Sequence, residues 1–146
     1  MYLPSIIDVQ RVQDVSYKIL NGEKHRLKRQ EGATVTYLHL LLDEIYEGCP
    51  GNYYYLTYAV SNAKIIKNEF VELLERVGLY DLIELVDIDT IRLSNGQIFI
   101  FSSISIPTIF KGVRANKIFL DCDYISISSV MFSELSRMKY FGTDII

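Results

Sequence analysis

Residues 33–77 read as helix, strand, helix with almost no slack between them, and this alternation constrains the fold more than anything else in the chain. Val35, Leu38, Leu42 and Ile45 recur at helical spacing over 33–46, and Gly48, Pro50 and Gly51 stop the run. The aromatic, β-prone segment 53–58 follows as a strand, bounded by a glycine and by Ser61, whose hydroxyl is placed to cap the next helix. Over 62–77 the side chains of Ile66, Phe70, Leu73, Leu74 and Val77 share one face, and Gly78 stands where a left-handed helix terminus is expected.

The remaining elements fit the same pattern. Residues 4–20 predict an opening helix carrying Ile7, Val12, Val15 and Ile19, closed by Asn21-Gly22 and followed by a basic segment at 25–29. Residues 90–93 and 97–101 flank Ser94-Asn95-Gly96, a strong signal for an antiparallel hairpin. A short apolar run at 117–120, preceded by Asn116, ends in Asp121, and 128–138 reads as a final amphipathic helix. Strands alternating with helices of this length predict a three-layer α/β fold: a mainly parallel central sheet with an antiparallel hairpin. With 146 residues, 49% of them apolar, and no repeat or linker, residues 1–146 are expected to form a single domain with one proper core.

Composition narrows the function classes. A net charge of −3 speaks against an overall basic coat for nucleic acid, so any polyanion site must be local. The densest basic patch is Lys24, His25, Arg26, Lys28 and Arg29, of which Lys24, Arg26 and Lys28 are the candidate nucleic-acid contacts. The longest apolar stretches, 38–42 and 98–101, fall far short of the roughly 20 residues that cross a bilayer, and the start reads as no secretory signal, so a soluble chain without membrane contact is expected. Cys49 and Cys122 show neither a CxxC nor a histidine cluster, which predicts reduced thiols in a cytoplasm and no structural zinc. His25 and His39 lack acid or cysteine partners at catalytic spacing and are expected at exposed, helix-surface positions. Tyr53, Tyr54, Tyr55 and Tyr58 have the chemistry to stack on bases, but alternation into a core and an edge explains them more cheaply.

Two segments carry chemistry. Arg29-Gln30-Glu31-Gly32-Ala33-Thr34 lies between a predicted strand and the most secure helix, the placement of a phosphate loop. Such a loop needs glycine so that backbone N–H groups can curl round phosphate, a helix N-terminus, a lysine for the terminal phosphates and a hydroxyl for magnesium. Gly32 and Thr34 meet this pattern, while Ala33 occupies the lysine slot. Later, the apolar strand 118–120 delivers Asp121 at its C-terminal end, where open α/β sheets place ligand sites, and Cys122 and Asp123 follow. Nucleotide hydrolases use such an aspartate for hydrated magnesium and an acidic neighbour to polarise water.

Taken in order, these parts resemble the ATPase domain of the large terminase subunit, the DNA-packaging motor of tailed phages. The terminase phosphate loop typically opens with Arg-Gln and continues Gly-Lys-Thr, matched here by Arg29, Gln30, Gly32 and Thr34. Leu93-Ser94-Asn95-Gly96, Ser102-Ser103, Phe110-Lys111-Gly112-Val113-Arg114 and the acidic strand then follow in the family's order, over roughly residues 8–138. The resemblance implies that Gln10 or Gln13 stands for the adenine-reading glutamine, that Arg29, Gln30, Gly32 and Thr34 surround nucleotide, and that the loop and Asp121 share one edge of the sheet.

The departures decide the expected activity. Ala33 removes the main positive charge facing the transferred phosphate, and Cys122 removes the acidic partner, so hydrolysis is expected to be crippled; Lys28 or Arg29 is the only basic stand-in. The coupling strand beyond the acidic helix is expected to be short or missing, and the nuclease domain absent. The resulting expectation is a phage-encoded, terminase-like pseudo-ATPase in the host cytoplasm, acting as a binding or regulatory protein in DNA packaging. It would dock on a phage or host protein or self-associate, with no cofactor. Asp121 would then only accept hydrogen bonds, from backbone N–H groups or from Thr34. One alternative is a weakly active motor domain using ATP and Mg2+ with Arg29, Thr34, Asp121 and Asp123. Another is a nucleic-acid-binding accessory protein that uses the basic segment and the tyrosines.

Overall fold

In the computed structural model, residues 33–146 are described. The predicted opening helix and basic segment, with Gln10, Gln13, Lys24, His25, Arg26, Lys28, Arg29, Gln30 and Gly32, lie outside them.

Helix α1 (Ala33–Glu47) forms on the predicted period, but residues 36–42 are buried without a break. A helix apolar on every side belongs in an interior, and this corrects the surface placement of His39, which is buried at 9% exposure. The helix ends at Gly48, φ 73°, whose N–H donates to the Glu44 carbonyl at 3.0 Å. The fully buried side chain of Gln97 caps the same end: its Nε2 donates to the carbonyls of Glu44 (2.7 Å) and Cys49 (3.2 Å).

Strand β1 (Gly51–Thr57) follows after a tight turn. Gly51 sits at φ 137°, and a Cβ there would lie 2.4 Å from the Asn116 side chain, whose Nδ2 donates to the Pro50 carbonyl at 2.9 Å; only glycine permits that approach. Helix α2 (Val60–Arg76) begins with Ala59 as its N-cap and no side-chain cap. Ser61 therefore lies inside the first turn rather than capping it. At the other end Gly78, φ 81°, donates to Glu75 (3.2 Å) and Leu79 to Leu74 (2.8 Å), the paired bonds of a Schellman terminus at the glycine the sequence marked.

Strand β2 (Ile83–Val86), which the sequence did not suggest, enters an antiparallel meander with β3 (Thr90–Leu93) and β4 (Gln97–Ser103). The β3–β4 turn closes through the Gly96 N–H to the Leu93 carbonyl (3.2 Å), with glycine alone at positive φ, while Asn95 Oδ1 accepts the Gln97 N–H at 3.0 Å. Strand β5 (Lys117–Asp121) leads to α3 (Ser129–Tyr140), where Ser128 accepts the Met131 N–H at 3.1 Å as a true N-cap. A short β6 (Asp144–Ile145) closes the described chain.

The six strands lie in the order β2-β3-β4-β1-β5-β6, parallel from β4 to β6 and antiparallel at the β2–β3 side. Alternation along β1 sends Tyr53 and Tyr55 into one core with α1 and α2, and Tyr54 and Leu56 into a second core with α3. Three layers and a mainly parallel sheet with an antiparallel hairpin agree with the expected α/β class. Neither cysteine is in a disulfide, and no helix among the described residues is long and apolar enough to cross a membrane.

Candidate functional site

Parallel strands offer ligand sites at their C-terminal ends. Here those ends are Thr57 of β1, Ser103 of β4 and Asp121 of β5, all in register. Asp121 is 2% exposed, and Thr34, in the first turn of α1, donates its hydroxyl to Asp121 Oδ2 at 2.6 Å. The Tyr55 hydroxyl donates to the same oxygen, also at 2.6 Å. Two short O–H···O− bonds thus converge on one carboxylate oxygen, the length expected of charge-assisted bonds.

Packing fixes the second donor. The Tyr55 ring stacks on Phe101, centroids 5.6 Å apart, and meets Tyr37 edge-on at 5.9 Å. Burial pushes the Tyr55 phenol well above its ordinary value of 10.0, and the Asp121 charge and the hydrogen bond Tyr55 donates to it push in the same direction. The proton therefore stays on the tyrosine, which acts as a donor.

The same helix is tied to the same strand at its far end. Glu44, 5% exposed, accepts a hydrogen bond from Lys117, the first residue of β5, and Lys117 also lies 3.9 Å from Asp144 of β6. Burial works to lower the Lys117 pKa, but the Glu44 bond and charge, then Asp144 and Glu47, outweigh it and the pKa is raised. Helix α1 is thus strapped along β5 by Thr34 at one end and by Glu44 at the other.

The other sequence-derived candidates divide clearly. Cys122, buried at 7%, packs in the second core beside Met131 and Leu135, on the far side of the sheet from Thr34 and Tyr55. Asp123 is exposed. Among the described residues no group of three His, Cys, Asp or Glu is arranged to hold a metal ion. Ser103 donates to the Tyr58 carbonyl at 3.1 Å and bonds the Ser105 hydroxyl at 2.8 Å, tying the loop after β4 to the loop after β1. The segment 110–114 leads into the start of β5, so exposed Arg114 lies at the end of the sheet opposite Asp121. There it borders a cleft of about 530 Å3 with Arg137, Met138 and Phe141. Tyr53, Tyr54 and Tyr55 are core residues, as alternation predicts, whereas Tyr58 is exposed in the loop after β1, a central strand, and so is not the expected edge residue.

Sequence reasoning missed Tyr55 as an Asp121 donor. Its signal is a register fact: Tyr55 pairs with Phe119, one pleat behind the Thr57–Asp121 pair, which places it on the same face as the aspartate on the neighbouring strand.

No protein-family model matches the chain, and no curated protein matches it. Among solved structures it is similar to the large terminase ATPase domain of Thermus phage P74-26, with a TM-score of 0.64 and 16% sequence identity over 93% of this chain and 68% of that one. The likeness is one of fold, an α/β sheet arranged as in that terminase ATPase domain, and so agrees with the resemblance read from the order of the motifs.

Proposed function

We propose that the chain is a terminase-like pseudo-ATPase, a phage protein that keeps the architecture of a packaging ATPase in the host cytoplasm and works by binding a phage or host protein rather than by turnover. The observation that carries this reading is the convergence of the Thr34 and Tyr55 hydroxyls on Asp121 Oδ2, each at 2.6 Å. A buried carboxylate satisfied in this way needs no cation to be stable in the fold.

The donor set fits magnesium in part. Thr34 and Asp121 supply the hydroxyl and carboxylate that hold the hydrated ion, which when bound would offset phosphate charge. The groups for turnover do not fit. Position 33 is alanine, so no ammonium follows Gly32, and the residue after Asp121 is a thiol packed in the second core, where a carboxylate would be needed to polarise water. Loss of both leaves a phosphate-loop frame without the electrostatics that stabilise phosphoryl transfer.

Magnesium-dependent phosphate release from the purified full chain tests the reading. Release at the level of buffer supports it. Turnover that disappears in Asp121→Asn would overturn it in favour of an active motor domain.

A further inference from the structure

At the side of the sheet farthest from β5 and Asp121, with β3, β4 and β1 between, β2 forms an edge. Glu84, Leu85 and Val86 are exposed although they alternate between faces, so the strand projects beyond both covering layers. Leu85 is 47% exposed, Val86 42% and Ile88, in the turn that follows, 66%. Three neighbouring aliphatic side chains in water are more than a short edge strand requires.

The edge is also shaped in advance. Asp87 donates its N–H inward to the Thr90 carbonyl at 2.8 Å, so by the alternation of an antiparallel ladder the N–H and C=O of Val86 face outward. The buried ammonium of Lys67 on α2 donates to the carbonyls of Asp87 (2.6 Å) and Ile88 (2.9 Å), and the Asp89 carbonyl accepts the Phe101 N–H at 2.8 Å. These bonds hold the turn and its Ile88 side chain in one position, which lowers the ordering cost of any association there.

Charge says what fits. Residues 80–90 contain Asp81, Glu84, Asp87 and Asp89 and no Lys or Arg, so the stretch carries −4 in a chain whose total is −3; exposed Arg92, opposite Leu85 on β3, leaves the edge acidic by −3. None of the four carboxylates has an ion-pair partner among the described residues. A second copy of this edge would set acids against acids, an arrangement that costs binding energy.

We infer that the β2 edge is a strand-addition site for an extended segment of a protein partner that presents both aliphatic and basic (Lys or Arg) side chains on each of its faces. The outward backbone groups of Val86 continue the ladder, Leu85 and Val86 take aliphatic side chains on opposite faces, and Asp87, on the Leu85 face, and Glu84, at the bulge, take the basic ones. The bulge between Ile83 and Leu85 limits the added strand to a few residues. The site is independent of nucleotide, so its failure and the failure of the pseudo-ATPase reading are separate results.

A short synthetic peptide of paired lysines and paired valines, which puts both residue types on each face of a strand, is titrated into the full chain and followed by amide-resolved NMR as the test. We expect shifts confined to residues 83–92, slowed exchange of the Val86 N–H, and no binding by the matching glutamate–valine peptide. The double variant Glu84→Lys with Asp87→Lys changes only exposed side chains and should weaken the basic peptide by about tenfold or more. Val86→Pro, a substitution edge strands accept, should remove binding while leaving the β2–β3 ladder. Equal binding of the acidic peptide, shifts elsewhere, no binding of the basic peptide, or self-association that Val86→Pro abolishes would each overturn the inference.

Discussion

Thr34 and Asp121, 87 positions apart, meet through one hydrogen bond of 2.6 Å. One stands in the first turn of α1 and the other ends β5, so the contact fixes the start of the helix against the C-terminal edge of the sheet. In a phosphate-loop enzyme that juxtaposition places a hydroxyl and a carboxylate around one cation. Here the Tyr55 hydroxyl joins them on the same carboxylate oxygen.

Asp121→Asn tests what the carboxylate does for the fold. The amide oxygen keeps an acceptor for the two hydroxyls but loses the negative charge that strengthens both bonds, and its NH2 group brings donors into a site 2% exposed. Charge-assisted bonds contribute about 1.5–3 kcal/mol and neutral ones about 1, so a loss of about 1–3 kcal/mol is expected in urea unfolding. Binding at the β2 edge, on the other side of the sheet, should not change.

Ala33→Lys tests what the loop lacks. An ammonium directly after Arg-Gln-Glu-Gly and directly before Thr34 supplies the charge that a phosphate loop turns to the terminal phosphates. One charge-assisted contact corresponds to a gain of at least roughly tenfold in ATP affinity. Calorimetry showing the same heat for both proteins would mean the segment is not a phosphate site.

Gln97→Leu tests the cap between α1 and the sheet. Leucine has similar bulk but leaves the carbonyls of Glu44 and Cys49 without the Nε2 donor, in a position with no exposure. Each carbonyl keeps one other donor, the Gly48 N–H on Glu44 (3.0 Å) and the Tyr53 hydroxyl on Cys49 (2.6 Å), so the loss is that of two hydrogen bonds, about 1–3 kcal/mol. A change below about 0.5 kcal/mol in urea unfolding would show that water replaces the amide at that end of the helix.

How far the sequence revealed this arrangement depended on range. Helices α1 and α2 and strands β1 and β5 declare themselves because each buries a periodic set of side chains, as Ile66, Phe70, Leu73 and Leu74 do on α2. The approach of Thr34 to Asp121 was legible through the order of motifs rather than through any local signal. Strand β2 was not legible: three of its four residues are exposed on both faces, so no alternation marks it, and β6 is only two residues long. His39 was misplaced because its lack of catalytic partners was read as surface exposure, whereas residues 36–42 of α1 are buried on every side. The role of Tyr55 depends on β1 lying beside β5 in one register, a long-range pairing that hydrophobic pattern does not encode.

Tyr55→Phe separates the second donor from the packing it belongs to. Phenylalanine keeps the stack on Phe101 and the edge contact with Tyr37 and removes only the hydroxyl, so the cost is that of one hydrogen bond to a buried carboxylate, about 1–3 kcal/mol. The pH dependence distinguishes this from a lost packing contact. The folded-state pKa of Tyr55 is raised above its ordinary value of 10.0, so the folded chain holds this proton more tightly than the unfolded one. The stabilisation is therefore fully present below pH 10 and is lost as pH rises from there through the folded-state value. Lys117, whose pKa is also raised, contributes in the same direction above its ordinary 10.5. In Tyr55→Phe the Tyr55 part of the alkaline loss disappears while the parts from Lys117 and from Tyr54, whose pKa burial also raises, remain, so unfolding free energy measured from pH 8 to 11 should fall less steeply than in the wild type. Parallel curves for the two proteins would show that the Tyr55 hydroxyl is not held against Asp121 in solution.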